Sequence, residues 1–142
     1  MSTFVVDASV VIKWFVPEVH SDAARLLLER SHQYVAPDLL FAETANAIWK
    51  KIKRGELSPD HGKRLVADIG RVAVETVSCR ALAREAHALA TAIGQTVYDA
   101  MYLALAVRLQ TRMITADEHL ANALAAIPSI ATHVQTVQSF AG

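Results

Sequence analysis

Cysteine is almost missing from this chain: Cys79 is the only one in 142 residues. That excludes an internal disulfide framework and is compatible with a reducing cytosol. Glycine is scarce, with five residues and no cluster, so no glycine-rich phosphate loop is available. No charge sign dominates. Fourteen Lys and Arg balance fourteen Asp and Glu, and no global positive field points to a nucleic-acid partner. Long apolar runs are missing too: Ala100 to Val107, the longest uncharged apolar run of the second half, is far too short to span a bilayer. The opening Met1-Ser2-Thr3-Phe4 has no basic leader, which predicts no secretory signal. These absences together predict a cytoplasmic protein without a membrane partner. The six histidines show no His-Glu-x-x-His or other paired ligand spacing, and no Gly-x-Ser-x-Gly occurs. Soft-metal sites and nucleophile elbows therefore have no support.

What is present is apolar. At 53% hydrophobic and 20% charged residues, the composition excludes a disordered or fibrous chain. Its length suits one domain over residues 1–142, which would bury roughly 68% of the unfolded surface. Short apolar segments alternate with helical patterns. Thr3–Val6, Gln33–Ala36, Val74–Val77, Arg112–Thr115 and His133–Val137 read as strands. Helices are expected over Ala8–Phe15, Ser21–Arg30, Asp38–Arg54, Ser58–Ile69, Arg80–Ile93, Tyr98–Leu109 and Asp117–Ala126. Asp7 or Ser9 can cap the first and Asp38 the third, while Gly55 and Gly94 serve as stops. The alternation predicts an α/β fold with a mostly parallel sheet covered on both faces.

The placement of the acids carries the functional argument. Asp7 follows the first strand and Asp117 follows the fourth, and open α/β sheets bind ligands at the carboxyl ends of their strands. Asp99 is the only charge between Val97 and Val107; a helix apolar on every other side predicts that it is buried. A carboxylate there needs a strong partner or loses its charge. Glu43 sits on a helix whose other charges gather toward its C-terminal end. Each acid also has an ordinary structural role open to it. Asp7 can cap a helix, Thr115-Ala116-Asp117-Glu118 has capping-box spacing, Thr96 can cap the helix of Asp99, and Glu43 can face water. Jointly they are harder to dismiss. Unit charges about 4 Å apart repel by roughly 4 kcal/mol at an effective dielectric near 20, and a hard divalent cation such as Mg²⁺ or Mn²⁺ relieves that conflict. Lys50, Lys51, Lys53 and Arg54 fall within five residues; they can contact phosphates or simply complement a helix C-terminus. Tyr98 and Tyr102 share a helical face with Leu105 and Leu109, which suits a core or dimer face, or base stacking.

Four stretches taken in order resemble one family. Val5-Val6-Asp7-Ala8-Ser9, Phe41-Ala42-Glu43-Thr44-Ala45-Asn46-Ala47, Tyr98-Asp99-Ala100-Met101-Tyr102-Leu103-Ala104-Leu105-Ala106 and Ile114-Thr115-Ala116-Asp117 look like the signature blocks of PIN-domain ribonucleases, most closely the VapC toxins of toxin–antitoxin pairs. The resemblance implies a three-layer α/β/α sandwich with about five strands, Mg²⁺- or Mn²⁺-dependent endoribonuclease activity, a homodimer and an inhibitory VapB-like antitoxin. Carried over by residue, it makes Asp7, Glu43, Asp99 and Asp117 the catalytic and metal-binding acids, with Asp7 and Asp99 as principal ligands and Ser9 and Thr115 as supporting hydroxyls. No His or Lys stands in these blocks as a general base, so activation of the attacking water would fall to the metal. A housekeeping RNA-processing nuclease and a non-catalytic interaction module are the alternatives. A receiver-like signalling domain is disfavoured: it wants an adjacent acidic pair near the first strand and a Lys after a late one, and neither is present.

Overall fold

The computed structural model describes residues 2–140. Five strands, β1 (Thr3–Val6), β2 (Gln33–Pro37), β3 (Glu75–Val77), β4 (Met113–Thr115) and β5 (Val134–Thr136), form one sheet in the order β3-β2-β1-β4-β5. Every neighbouring pair is parallel, with Val5 opposite Val35 on one side and Met113 on the other. The central strands carry apolar runs because both their faces are covered: Val5, Val6, Met113 and Ile114 have no exposed surface. This is the α/β class expected from the alternation.

Connection handedness then fixes the layers. The chain steps from β1 to β2 to β3 in one direction, and returns across the sheet to β4 and β5. Parallel crossovers are right-handed in nearly all proteins. The helices of the first two crossings, α1 (Ala8–Phe15), α2 (Ser21–Leu28), α3 (Leu39–Lys53) and α4 (Pro59–Ile69), therefore cover one face. The helices after the reversal, α5 (Cys79–Ile93), α6 (Val97–Arg108), α7 (Glu118–Ala125) and α8 (Pro128–Ala131), cover the other. Packing agrees: α1 contacts α2 and α3, α3 contacts α4, and α5 runs along α6, which rests on β1 and β2. The reversal leaves a crevice at the carboxyl ends of β1 and β4, where such sheets take their ligands.

Local chemistry explains the element ends. Ser58 accepts the amide of His61 at 3.1 Å ahead of Pro59, and Ser78 accepts that of Ala81 at 3.2 Å. Gly94 closes α5 at φ 75°, a left-handed conformation that favours glycine. Ser58→Ala is expected to lower stability by about 1 kcal/mol through loss of the cap, read as a lower denaturant midpoint at unchanged slope. Two expectations are corrected. Asp38 stands at the start of α3 but its side chain makes no capping bond; Oδ1 accepts the amide of Cys79 at 2.9 Å and ties the end of β2 to α5. Residues 128–131 were not expected to be helical; Pro128 opens a single turn there, α8. Among the described residues no helix is long and apolar enough to cross a membrane.

Candidate active site at the carboxyl edge of the sheet

Asp7 caps α1. Its side chain takes the amide of Val10, a bond any N-terminal Asp can make. What sets it apart is the rest of its shell. Ser9 Oγ donates to Oδ1 and Thr115 Oγ1 donates to Oδ2, each at 2.5 Å. The two hydroxyls are themselves held by the backbone leaving β4: Ser9 Oγ accepts the amide of Ala116 at 2.9 Å, and Thr115 Oγ1 that of Asp117 at 3.1 Å. Both hydroxyl protons are thus committed to one carboxylate, fixing its plane across the β1–β4 crevice. Asp7 is nonetheless buried. Burial raises its pKa to about 6 despite the bonds from Ser9, Thr115 and Val10, and the charge of Glu43 adds to the rise.

The other three acids come from three further elements. Glu43, in the second turn of α3, is half-buried, and Tyr102 Oη donates to its Oε1 at 2.6 Å. Desolvation raises its pKa, the Tyr102 bond opposes the rise, and Asp99 reinforces it. Asp99 lies in the first turn of α6 behind the Thr96 cap, and desolvation followed by the charge of Asp117 pushes its pKa up. Asp117 is the N-cap of α7, accepting the amide of Leu120 at 3.0 Å, rather than a first-turn residue of a capping box. The acids form an electrostatic chain, Asp7 to Glu43 to Asp99 to Asp117, in which each link disfavours charge. No Lys or Arg is ion-paired with any of them among the described residues.

This donor set suits a hard divalent cation: carboxylate oxygens only, mutually repelling, with no resident counter-charge. The acids are gathered rather than clenched. Among the described residues no three His, Cys, Asp or Glu side chains stand close enough to hold one ion, because Glu43 is turned onto Tyr102 and Asp117 onto its helix end.

A groove of about 470 Å³ opens beside these acids, lined by Ser9, Glu43 and Asp117 and by Lys50, Lys51 and Arg54. Three of the four clustered cations expected at the end of α3 therefore line the same groove as Glu43 and Asp117. Lys53 does not: it stands over the exposed Trp49 ring at 5.2 Å. Two further expectations change. Asp99 is half-buried rather than buried, because it sits at the end of α6 beside Tyr98, which is 61% exposed. Tyr98 and Tyr102 do not share an environment; Tyr102 is core and anchors Glu43. The sequence reading missed Lys13 and Glu18, which also line the groove. The signal for Lys13 was available, since it is the only basic residue in the apolar run of α1.

Comparison with known proteins agrees with the fold and the motifs. The model of the PIN domain matches residues 4–124. Ribonuclease VapC3 of Pyrobaculum aerophilum is 34% identical over 125 residues, covering 87% of this chain and 95% of that protein. Among solved structures, PAE2754 from Pyrobaculum aerophilum superposes with a TM-score of 0.70 at 21% identity, covering 97% of this chain and 85% of its own. A toxin–antitoxin complex from Klebsiella pneumoniae gives 0.63 at 18%, covering 94% and 96%. VapC20 of Mycobacterium tuberculosis, described as a sarcin–ricin loop cleaving toxin, gives 0.64 at 14%, covering 84% and 94%. At these identities the structural matches speak for the fold.

Proposed function

The chain belongs to the PIN domain family, and from that premise we propose that it is a divalent-metal-dependent endoribonuclease serving as the toxin of a toxin–antitoxin pair. One observation carries the reading: four carboxylates from four separate elements are drawn toward the carboxyl edge, near enough to disfavour one another's charge and without a basic partner, beside a groove edged with cations. The 34% identity to a ribonuclease VapC supports it.

Asp7 and Asp99 would be the principal ligands of Mg²⁺ or Mn²⁺, with Glu43 and Asp117 binding directly or through water. A bound ion would lower the pKa of water and stabilise charge on the phosphate oxygens. The chain's own residues do the positioning. Ser9 and Thr115 lock the Asp7 carboxylate, and Tyr102 keeps Glu43 from swinging into solvent. Lys50, Lys51 and Arg54 hold the RNA backbone at the groove. Water attacking phosphorus in line, with the O3′ bond breaking, leaves a 5′-phosphate and a 3′-hydroxyl. An antitoxin arginine can silence the same pocket, its planar fork bridging two carboxylates where the cation would bind. The homodimer has candidate apolar surface in Tyr98, Val107 and Leu109, all exposed along α6 and its end.

The test is cleavage of a labelled single-stranded RNA by the purified chain with Mg²⁺, with Mn²⁺ and with a chelator. Cutting is expected only with metal, with 5′-phosphate ends, and expression alone should arrest growth until the antitoxin is supplied. Equal cutting under chelation, or none with either ion, overturns the reading.

A further inference from the structure

Lys13 is the one buried cation in the described chain, and its partner is shared. Glu18, in the turn between α1 and α2, receives Lys13 Nζ on Oε1 at 3.1 Å and Lys51 Nζ on Oε2 at 2.7 Å. The lysine side chains are 11% and 14% exposed, and that of Glu18 is 27% exposed. Two largely buried ammoniums share this one carboxylate at close range, and the half-exposed Glu56 reaches Lys51 only at 4.0 Å. The bridge lies in the same groove as Ser9, Glu43 and Asp117. A partly buried excess of positive charge is costly unless an anion joins it.

We propose that Lys13 and Lys51 form a subsite for a backbone phosphate of the RNA, and that the Glu18 carboxylate occupies it as a built-in competitor. The inference rests on the ribonuclease reading, adds Lys13 and Glu18 to it, and gives Lys51 a shared place with them. A carboxylate and a phosphodiester each offer two oxygens sharing one negative charge, so Glu18, with one oxygen on each ammonium, presents the arrangement a phosphate would adopt. Burial pushes the Glu18 carboxyl up, yet the two ammoniums outweigh it and hold its pKa below the usual value. The backbone of Glu18 is pinned independently: its amide donates to Ser21 Oγ at 2.9 Å and its carbonyl accepts the Ser21 amide at 3.0 Å. The side chain can therefore yield to a phosphate while the turn stays in place.

The opposed signs of the two charges give the experiment its power. Binding of a short fluorescent single-stranded RNA is measured by anisotropy in chelator across a salt series, for the parent chain, Lys13→Met, Lys51→Met, Lys51→Arg and Glu18→Gln. Each Met variant should bind about fivefold more weakly near 0.1 M salt and flatten the slope of log K against log salt by about 0.7. Glu18→Gln should move both quantities the other way, and Lys51→Arg should match the parent. If all four variants weaken binding alike with the slope unchanged, the bridge is only a tie between α1 and α3, and the subsite is wrong. If the parent cuts RNA with metal but no variant shifts the slope, the subsite falls and the ribonuclease reading stands. A parent that neither binds nor cuts RNA removes both.

Discussion

Asp99→Asn is expected to lower RNA cleavage in saturating Mg²⁺ on the order of a thousandfold, equivalent to about 4 kcal/mol of transition-state stabilisation, while the chain stays folded. Asparagine keeps the shape of the side chain and removes the charge a hard cation needs. Stability should move little because two effects offset each other. Asp99 stands in the first turn of α6, where the helix dipole favours an anion by about 0.3–1 kcal/mol. Burial and the neighbouring Asp117 disfavour the same anion. The Thr96 cap that sets the helix start is bonded to the backbone amide of residue 99 and is untouched. Three measurements check this: the cleavage rate, the melting temperature, and the rise in melting temperature on adding Mn²⁺. That rise, which mass action requires of an ion binding only the folded state, should shrink with the rate. A variant that cuts at the parental rate would remove Asp99 from the metal site, and growth equally poor on expressing parent and variant would show that toxicity is not catalytic.

The sheet was legible because its central strands are covered on both faces and must read as unbroken apolar runs, as Phe4-Val5-Val6 and Met113-Ile114 do. The acids were legible for the complementary reason: each stands where an apolar pattern stops or is broken. What local spacing cannot carry is a partner far away in the chain. Asp38 looked like a cap, but its partner is Cys79, 41 positions on. Tyr102 looked like core or a stacking surface, and its hydroxyl serves Glu43, 59 positions back. Lys13 is a different kind of miss. Like Asp99 it is a lone charge within an apolar helix, a local signal, but one less conspicuous than the cluster at Lys50–Arg54. Glu18 follows Pro17 in a turn and has no pattern to break; only folding α3 against α1 brings Lys51 to it.

Asp7→Asn should make the chain more stable at neutral pH, and the gain should vanish in acid. The folded-state pKa of Asp7 is about 6 against an ordinary value of 3.8, so between those values the folded chain holds a proton that the unfolded chain has released. Stability contributed by this group is full below about pH 3.8 and is lost as the pH rises through about 6. At pH 7 the buried anion therefore costs roughly 3 kcal/mol relative to its protonated form. Asparagine escapes that cost and still caps α1, since Asn and Asp are comparable N-caps. It cannot accept from both hydroxyls, however, so either Ser9 or Thr115 must turn, at about 1 kcal/mol. The net expectation is a gain of about 2 kcal/mol at pH 7, falling to zero or slightly below near pH 4, read as the difference between parent and variant denaturation curves across that range. Taking the difference cancels every other titrating group except those coupled to Asp7, chiefly Glu43. Saturating Mn²⁺ should narrow the gap at pH 7, because the ion compensates the parent's charge and has lost a ligand in the variant. A variant less stable than the parent at pH 7, or a gain that does not change between pH 4 and 8, would mean that the hydroxyl cradle, rather than an uncompensated carboxylate, governs this end of the sheet.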